Sequence, residues 1–198
     1  MELLYKSVIS EELKELEKSL LSSISSDIAL ATEISNYLLL SGGKRLRPAL
    51  CILVSKALEY DGEDLIKLAS SIELLHTATL IHDDVVDESL FRRGKESIHS
   101  KWDNAHGVLV GDFVYSKAFQ LMASFKNPEI IRTLADSTNR ISEGEVLQLS
   151  LKSQDLLEKD YMGPLSLLAA LFDCSAMACD SRPQPLALAL VPAQKTIP

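Results

Sequence analysis

Apolar residues recur at spacings of three and four through most of the chain. Leu13, Leu16, Leu20 and Leu21 form one such stripe. This spacing matches the 3.6-residue period of an amphipathic α-helix, and no stretch shows the sustained alternation expected of a half-buried strand. The pattern therefore predicts an all-α fold, in which antiparallel helices are joined by short loops.

Capping and helix-breaking residues set the limits of the predicted helices. Asp27 is a candidate N-cap for a helix that ends at Gly42-Gly43. Pro48 suits the first turn of the next helix, which we expect to end near Gly62. Three longer helices are predicted over about residues 65–87, 108–125 and 128–153. Together with the N-terminal stripe, these segments make six predicted helices and no convincing strand.

The last stretch of the chain has a different composition. Four of the seven prolines lie within residues 183–198, and proline at this density interrupts helices. We therefore predict a helical domain over residues 1–162 and an irregular tail over residues 163–198 that does not continue the bundle. Cys174 and Cys179 in this tail lack a second His or Cys pair, so we expect no zinc site there.

Composition and charge exclude several classes of protein. The chain has 198 residues, of which 46% are hydrophobic and 24% charged, so it has enough apolar surface for one folded domain or slightly more. Its net charge of −8 argues against a nucleic-acid partner. It has no apolar run of membrane-spanning length, no signal-peptide pattern and only three cysteines. We therefore expect a cytoplasmic protein without a transmembrane segment or a disulfide framework.

Four acidic residues, Asp83, Asp84, Asp87 and Glu88, lie together at the end of the fourth predicted helix. Asp83 and Asp87 are one helical turn apart, as are Asp84 and Glu88, and like charges at that spacing repel by roughly 0.2–0.5 kcal/mol per pair. The helix macrodipole also disfavours anions at a C-terminus. A divalent cation removes both penalties, and carboxylate oxygens suit Mg²⁺. The alternative interpretation is a solvated acidic helix end.

The same helix face continues from the carboxylates to apolar residues. Thr79, His76 and Ile72 lie on the face that carries Asp83. A helix face that changes from charged to apolar in this way could line a binding site for a substrate with a charged head and an apolar tail. The alternative is a helix packed in a bundle with one neutral core histidine.

Two basic clusters accompany the acidic one. Lys44, Arg45 and Arg47 stand at the start of a predicted helix, where backbone amides and cations together favour an anion. Arg92 and Arg93 follow the acidic cluster, and the guanidinium fork matches phosphate oxygens. The three clusters together indicate a diphosphate held by metal on one side and by cations on the other. Each basic cluster alone is usually part of a solvated surface.

Two segments carry a specific resemblance to a known family. The segments are GGKRLRP at Gly42–Pro48 and HTATLIHDDVVDESLFRRG at His76–Gly94. They resemble the basic motif and the first aspartate-rich motif, with its Arg pair, of the trans-isoprenyl (polyprenyl) diphosphate synthases. Val108–Met122 and Ile141–Leu149 resemble later helices of this family. The resemblance covers about residues 1–162, is closest to the long-chain octaprenyl-like branch, and implies an isoprenoid-synthase-type helical bundle.

The resemblance implies a role for each matching residue. Asp83 and Asp87 would ligate Mg²⁺ that bridges the allylic diphosphate, with Asp84 in support. Arg92 would contact that diphosphate. The residues that would hold isopentenyl diphosphate are Lys44, Arg47, His76 and Arg93. The implied reaction is ionisation of the allylic diphosphate, attack by the isopentenyl double bond and loss of a proton, in a homodimeric enzyme whose product partitions into membranes.

The resemblance also implies a product length. In this family, the residues four and five positions before the first aspartate limit the product tunnel, and here they are Thr79 and Ala78. Neither residue is aromatic, so a long product is expected. The alternative is that these small residues merely allow close helix packing.

The chain departs from the family pattern after about residue 162. The family has a second aspartate-rich motif and a Lys-Thr pair in its C-terminal half, and Leu167-Leu168 stand where the Lys-Thr pair is expected. We therefore expect that these 198 residues alone do not form the complete synthase.

Two other functions stay open on the sequence. One is a non-catalytic partner subunit of a full-length synthase. The other is an HD-type metal phosphohydrolase, because His82-Asp83 is also the signature pair of that class. Such an enzyme would need further ligands, for which His76, His99 and His106 are available.

Overall fold

The computed structural model describes residues 4–60, 62 and 64–150. In this part of the chain, eight α-helices and one short hairpin form an all-α architecture, as the apolar periodicity predicts. In chain order the elements are α1 (Leu4–Val8), α2 (Ser10–Ser23), α3 (Ala29–Leu39), α4 (Leu46–Ala57), α5 (Asp64–Val86), β1 (Phe91–Arg92), β2 (Lys95–Glu96), α6 (Ile98–Lys101), α7 (Asn104–Met122) and α8 (Pro128–Ser150). No helix of the described residues is both long and apolar enough to cross a bilayer.

The described residues fall into two compact units. The first unit comprises Met1–Ile52 and Ile66–Ser124, and its buried core is contributed mainly by α2, α3, α5 and α7. Of the described residues, the second unit comprises 53–60, 62, 64–65 and 125–150. Within its described part, the buried apolar residues are Leu65, Phe125, Ile130 and Leu134.

Helix α5 is the central helix of the first unit. It is buried on most of its circumference, with Leu68, Ile72 and Leu75 at most 2% exposed. Buried Thr77 within α5 has a hydrogen-bond partner in the helix itself. Its hydroxyl donates to the backbone carbonyl of Glu73 at 2.7 Å. A helix that is apolar on most sides belongs in the core, and the candidate functional residues lie on the less buried side of α5 and at its C-terminal end.

Two predicted helix starts are wrong. Helix α3 begins after Ile28, not at an Asp27 cap, and no side chain caps it. Helix α7 begins at Asn104, four residues before the predicted start, because the Asp103 carboxylate accepts a hydrogen bond from the backbone N–H of His106 at 2.8 Å. Pro48 does lie in the first turn of α4, as predicted. The predicted end of the last helix at residue 153, the boundary at residue 162 and the tail lie outside the described residues.

The prediction that the sequence holds no strand is also wrong. β1 and β2 form an antiparallel hairpin in which Arg92 pairs with Lys95. The two-residue turn is Arg93-Gly94, and both residues have positive φ angles, 52° and 77°. Such a turn matches the right-handed twist of the paired strands. Strands of two residues are too short for an alternating pattern, which is why the periodicity missed them.

Candidate functional site

A basic cavity of about 460 Å³ lies between the turn that precedes α4, the middle of α5 and the hairpin. Its lining residues are Gly43, Lys44, Arg45, Leu46, Arg47, Glu73, His76 and Arg93. All four residues predicted to hold isopentenyl diphosphate, Lys44, Arg47, His76 and Arg93, are in this lining. The fold therefore brings together side chains that are up to 49 positions apart in the sequence.

Glycine lets the hairpin reach the turn before α4. The Arg93 guanidinium donates to the carbonyl of Gly42. A Cβ atom on Gly43 would lie only 2.7 Å from Arg93 Nη1. Gly42 itself has a φ of 78°, a left-handed conformation that glycine adopts readily. Gly42 thus suits the turn, and Gly43 leaves room for the Arg93 guanidinium in the position it occupies.

Arg47 and His76 contact each other inside the cavity. Arg47 Nη1 lies 3.0 Å from His76 Nε2. A guanidinium can only donate hydrogen bonds, so Nε2 accepts this one and the proton of the neutral ring is on Nδ1. The contact orients Arg47 and fixes the tautomer of His76.

His76 is uncharged at neutral pH. Burial, followed by the positive charges of Arg47 and Arg93, lowers the pKa of His76 to about 4. Burial also lowers the pKa of Arg47, and the guanidinium stays charged because its ordinary pKa is so high. The positive charge of the cavity therefore comes from Lys44, Arg47 and Arg93, while His76 supplies neutral hydrogen-bonding groups.

Arg45 does not present its charge to the cavity as the sequence pattern predicts. Its guanidinium makes ion pairs with Glu73 at 2.8 Å and with Glu17 at 2.7 Å. Burial opposes the charged form of Arg45, but the hydrogen bonds and charges of Glu17 and Glu73 raise the pKa of Arg45. Burial raises the pKa of Glu73, and the Arg45 guanidinium opposes that shift. The predicted cluster of three free cations is thus two cations beside a buried ion pair.

The carboxylate edge, formed by Asp83 and Asp87, lies at the C-terminal end of α5. The backbone N–H of Asp87 donates to the carbonyl of Asp83 at 2.8 Å, so these residues are one turn apart as predicted. Asp83 is half-buried and Asp87 is exposed. His76 lies two turns earlier on the same helix, about 10 Å along the axis at 1.5 Å per residue. The basic cavity and the carboxylate edge therefore share one face of α5.

Asp84 turns away from this edge and pairs with Arg92. Arg92 Nε lies 2.7 Å from both carboxylate oxygens of Asp84, and Nη2 adds a third contact at 2.7 Å. The Asp84 side chain is 4% exposed. Glu88 follows α5 in a left-handed conformation with φ of 50°, so the predicted helical pair of Asp84 and Glu88 does not form. The Asp84–Arg92 pair instead connects α5 to the hairpin that carries Arg93.

Comparisons with known proteins identify the family of the chain. The sequence model of the polyprenyl synthetase family matches residues 28–179, which is more than half of the chain. The chain belongs to the polyprenyl synthetase family. This finding confirms the resemblance on which the site was predicted.

Individual relatives are similar over about half of their length. The chain is 40% identical to octaprenyl diphosphate synthase of Escherichia coli, over 84% of this chain and 52% of that protein. It is also 40% identical to the all-trans-nonaprenyl-diphosphate synthase of Rhodobacter capsulatus, over 78% of this chain and 48% of that protein. The chain thus spans about half the length of the curated relatives it matches.

A solved structure has the same fold. The polyprenyl synthase from Caulobacter crescentus, complexed with calcium and isoprenyl diphosphate, superposes with a TM-score of 0.84 at 33% identity, over 90% of this chain and 56% of that one. The predicted isoprenoid-synthase-type bundle is therefore confirmed for the described residues.

The carboxylate edge fits a divalent cation whose remaining ligands come from other groups. Asp83 and Asp87 offer oxygen donors on successive turns. No group of three or more His, Cys, Asp or Glu side chains among the described residues could enclose a metal ion. Mg²⁺ is bound in many sites by one or two carboxylates, with waters and substrate phosphates as its other ligands. The two carboxylates therefore suit a cation whose other ligands are the oxygens of a bound diphosphate and water.

The described residues do not form an HD-type phosphohydrolase site. Such a site needs several His and Asp ligands, and no cluster of that kind is present in this part of the chain. His82 contacts the carbonyl of Val108 at 3.2 Å and Asp112 at 3.4 Å on α7. His99 contacts the hydroxyl of Ser97 at 3.1 Å, and His106 contacts the carboxylate of Asp103 at 2.8 Å.

The two residues predicted to control chain length are adjacent on α5. Ala78 is fully buried, and Thr79 is half-buried with its hydroxyl donating to the carbonyl of His76 at 2.9 Å. Neither side chain lines the basic cavity. Their effect on product length stays a prediction.

Sequence reasoning missed Glu73 and Glu17 as parts of the site. Glu73 is 4% exposed in the middle of α5, and a lone acid flanked by Ile72 and Leu74 was a signal for a buried ion pair. Glu17 gave no comparable signal, because it lies on α2 among many other charged residues.

Proposed function

We propose that this chain carries the diphosphate-binding half of a prenyltransferase that condenses isopentenyl diphosphate with an allylic diphosphate to give a long-chain all-trans polyprenyl diphosphate. The single observation that carries the proposal is the arrangement on one face of α5. There, a cavity with three cations lies two turns from a pair of carboxylates. The family membership and the names of the long-chain relatives support this choice of reaction.

We propose that isopentenyl diphosphate binds in the basic cavity. Lys44, Arg47 and Arg93 supply the positive charge, and charge-assisted hydrogen bonds from guanidinium to phosphate are among the strongest polar contacts in proteins. His76 accepts from Arg47, which leaves its Nδ1–H to donate. Because His76 is neutral, it adds a hydrogen-bond donor to the cavity without adding a fourth cation.

We propose that the allylic diphosphate lies at the carboxylate edge, where Asp83 and Asp87 would hold Mg²⁺. The polyprenyl synthase from Caulobacter crescentus that was solved with calcium and isoprenyl diphosphate supports the use of a divalent cation together with a diphosphate. When bound, the cation supplies positive charge that stabilises the departing diphosphate. Arg92, which the family resemblance assigns to this diphosphate, is held at the end of the same helix by Asp84.

The reaction balances with these groups. The allylic C–O bond breaks, and its electron pair leaves with the diphosphate. The isopentenyl double bond attacks the allylic carbon, and the product regains a double bond when a proton leaves. The buried apolar face of α5 beside the site keeps water away from the allylic cation.

The proposal extends to the partner and the location of the protein. We propose a homodimer in the cytoplasm whose product partitions into membranes. Helix α7 supports a second copy as partner, since Val108 and Leu109 are 43% and 66% exposed. A groove of about 500 Å³ that includes Tyr115 and Phe119 lies along the same helix.

An elongation assay tests the proposed function. Purified protein is incubated with Mg²⁺, radiolabelled isopentenyl diphosphate and farnesyl diphosphate, and the products are separated by chain length. Elongated prenyl diphosphates would support the proposal, and the Asp83→Asn and Asp87→Asn variants should then lower the rate by at least about 100-fold, as for loss of a group that stabilises transition-state charge. Asp136→Asn, which removes an exposed carboxylate on α8, is the matched control and should keep the rate.

The other outcomes separate the remaining functions. No product, together with tight binding to a full-length synthase, would favour the non-catalytic partner subunit. Phosphate release from a nucleotide would favour the phosphohydrolase. No product and no binding of either prenyl substrate would contradict the proposal.

A further inference from the structure

Arg45 has the most constrained side chain of the basic cavity. Its Nε and Nη2 donate to the two carboxylate oxygens of Glu17, at 2.7 and 3.2 Å. Its Nη1 donates to Glu73 at 2.8 Å, and Nη2 also donates to the carbonyl of Leu39 at 2.9 Å. Every guanidinium nitrogen is thus occupied within the protein, and the side chain is only 9% exposed.

The backbone of Arg45 is as unusual as its side chain. Its φ angle is 50°, a left-handed conformation that residues other than glycine adopt rarely. Arg45 lies immediately before α4, and its carbonyl accepts the backbone N–H of Ala49 at 3.0 Å. The turn therefore needs a left-handed residue at this position, and the ion pairs of the Arg45 side chain hold it there.

The two neighbours of Arg45 in the motif carry charge into the cavity. Lys44 precedes it and is exposed, and Arg47 lies two residues later and contacts His76. Glu73, which binds Arg45, is three residues before His76, so both lie on one side of α5. Two contacts, Arg45 with Glu73 and Arg47 with His76, thus join the start of α4 to residues 73–76 of α5. Movement of Arg45 would shift Lys44 and Arg47 relative to His76.

We propose that Arg45 is a positioning residue, clamped by Glu73 and Glu17, that sets Lys44, Arg47 and His76 in register for isopentenyl diphosphate. The proposal rests on the proposed function, since it assumes the occupant of the cavity. The role needs arginine, because a lysine has no planar fork to join two carboxylates and a carbonyl at once.

The test combines a ligand-free measurement with a binding measurement. The main variant is Arg45→Met with Glu73→Gln, because removing Arg45 alone leaves a buried carboxylate without its cation. The amide resonances of Gly42 and Gly43 report the turn in the ¹⁵N–¹H correlation spectrum without ligand. Calorimetry gives the affinity for isopentenyl diphosphate and, separately, for farnesyl thiodiphosphate with Mg²⁺. The control is Arg132→Met with Glu129→Gln, which removes an exposed ion pair on α8.

We expect the double variant to shift the Gly42 and Gly43 resonances and to weaken isopentenyl diphosphate binding at least tenfold. Binding of farnesyl thiodiphosphate with Mg²⁺ should change less than twofold, which a merely structural role for Arg45 would not produce. Arg45→Lys keeps the charge without the fork, and should show a smaller shift and an intermediate loss. It also replaces the double variant if that variant does not fold.

Three results would overturn the inference. They are unchanged glycine resonances, unchanged affinity for isopentenyl diphosphate, or an equal loss of affinity for both ligands. If the wild-type protein binds neither ligand, the proposed function fails. The glycine resonances then still decide whether Arg45 positions the turn.

Discussion

Replacing Asp84 by Asn would leave the guanidinium of Arg92 without its anion at the end of α5. Removing one partner of a buried ion pair typically costs about 3–5 kcal/mol of folding free energy. Asp84 is 4% exposed, but Arg92 is 24% exposed, so water can solvate part of the stranded guanidinium. We therefore expect Asp84→Asn to lower the free energy of unfolding by about 2–3 kcal/mol.

A double-mutant cycle separates the pair from other effects of these substitutions. Asp84→Asn, Arg92→Gln and the double variant are unfolded with urea, and the coupling energy is calculated from the four free energies of unfolding. Residues in direct contact couple by roughly 0.5–3 kcal/mol. Three contacts of 2.7 Å place this pair in the upper half of that range. Asp87→Asn is the matched control, because Asp87 is exposed on the next turn and should change stability by less than about 0.5 kcal/mol.

The refuting result is a coupling energy below about 0.5 kcal/mol, the level at which independent sites add. Asp84 would then lie close to Arg92 without contributing to the fold, and the hairpin would need another anchor. A loss as large for Asp87→Asn as for Asp84→Asn would also contradict the assignment, because it would place both carboxylates in similar surroundings.

Three further predictions concern the individual residues His76, Gly111 and Ala78. The pKa of His76 is about 4 in the folded protein, below its ordinary value of 6.5. As the pH falls, the unfolded chain therefore binds a proton before the folded one does, and the free energy of unfolding drops by at most about 3 kcal/mol between pH 6.5 and 4. Urea unfolding at a series of pH values should show this decrease in wild type but not in His76→Gln. Gly111→Ala places a Cβ against His82 Nε2, and should lower the melting temperature by several degrees, equivalent to about 1–2 kcal/mol, whereas Ser116→Ala on the exposed side of α7 should not. Ala78→Phe should shorten the product in an active enzyme, as separated prenyl chains would reveal, and should also destabilise the fold by about 1–3 kcal/mol because Ala78 is fully buried; an unchanged product distribution would contradict its role in chain length.

The helices could be predicted from the sequence, since burial repeats with their period. Leu16 and Leu20 are both fully buried, as the N-terminal stripe predicts, whereas Leu21 of the same stripe is 39% exposed. The grouping of Lys44, Arg47 and His76 depended on the family resemblance, because the residues alone left a solvated surface equally possible. The structure shows that all three residues line one cavity.

The direction of individual charged side chains could not be predicted. Arg45 and Arg47 have the same chemistry two positions apart, yet Arg45 points inward because a left-handed φ and Glu17, 28 positions earlier, hold it there. Asp84 meets Arg92 because a hairpin too short for any periodic signal returns that arginine to α5. Such contacts depend on tertiary packing that no local pattern encodes.

The most direct test of the account is calorimetric titration of the protein with farnesyl thiodiphosphate, an allylic diphosphate that resists ionisation, in the presence and absence of Mg²⁺. We predict binding that depends on Mg²⁺ and that weakens at least tenfold, about 1.4 kcal/mol, when Asp83 and Asp87 are both replaced by Asn. Asp136→Asn should bind as wild type. Binding that needs no divalent cation, or that persists unchanged in the Asp83/Asp87 double variant, would contradict the claim that the carboxylate edge of α5 holds a metal-bound diphosphate.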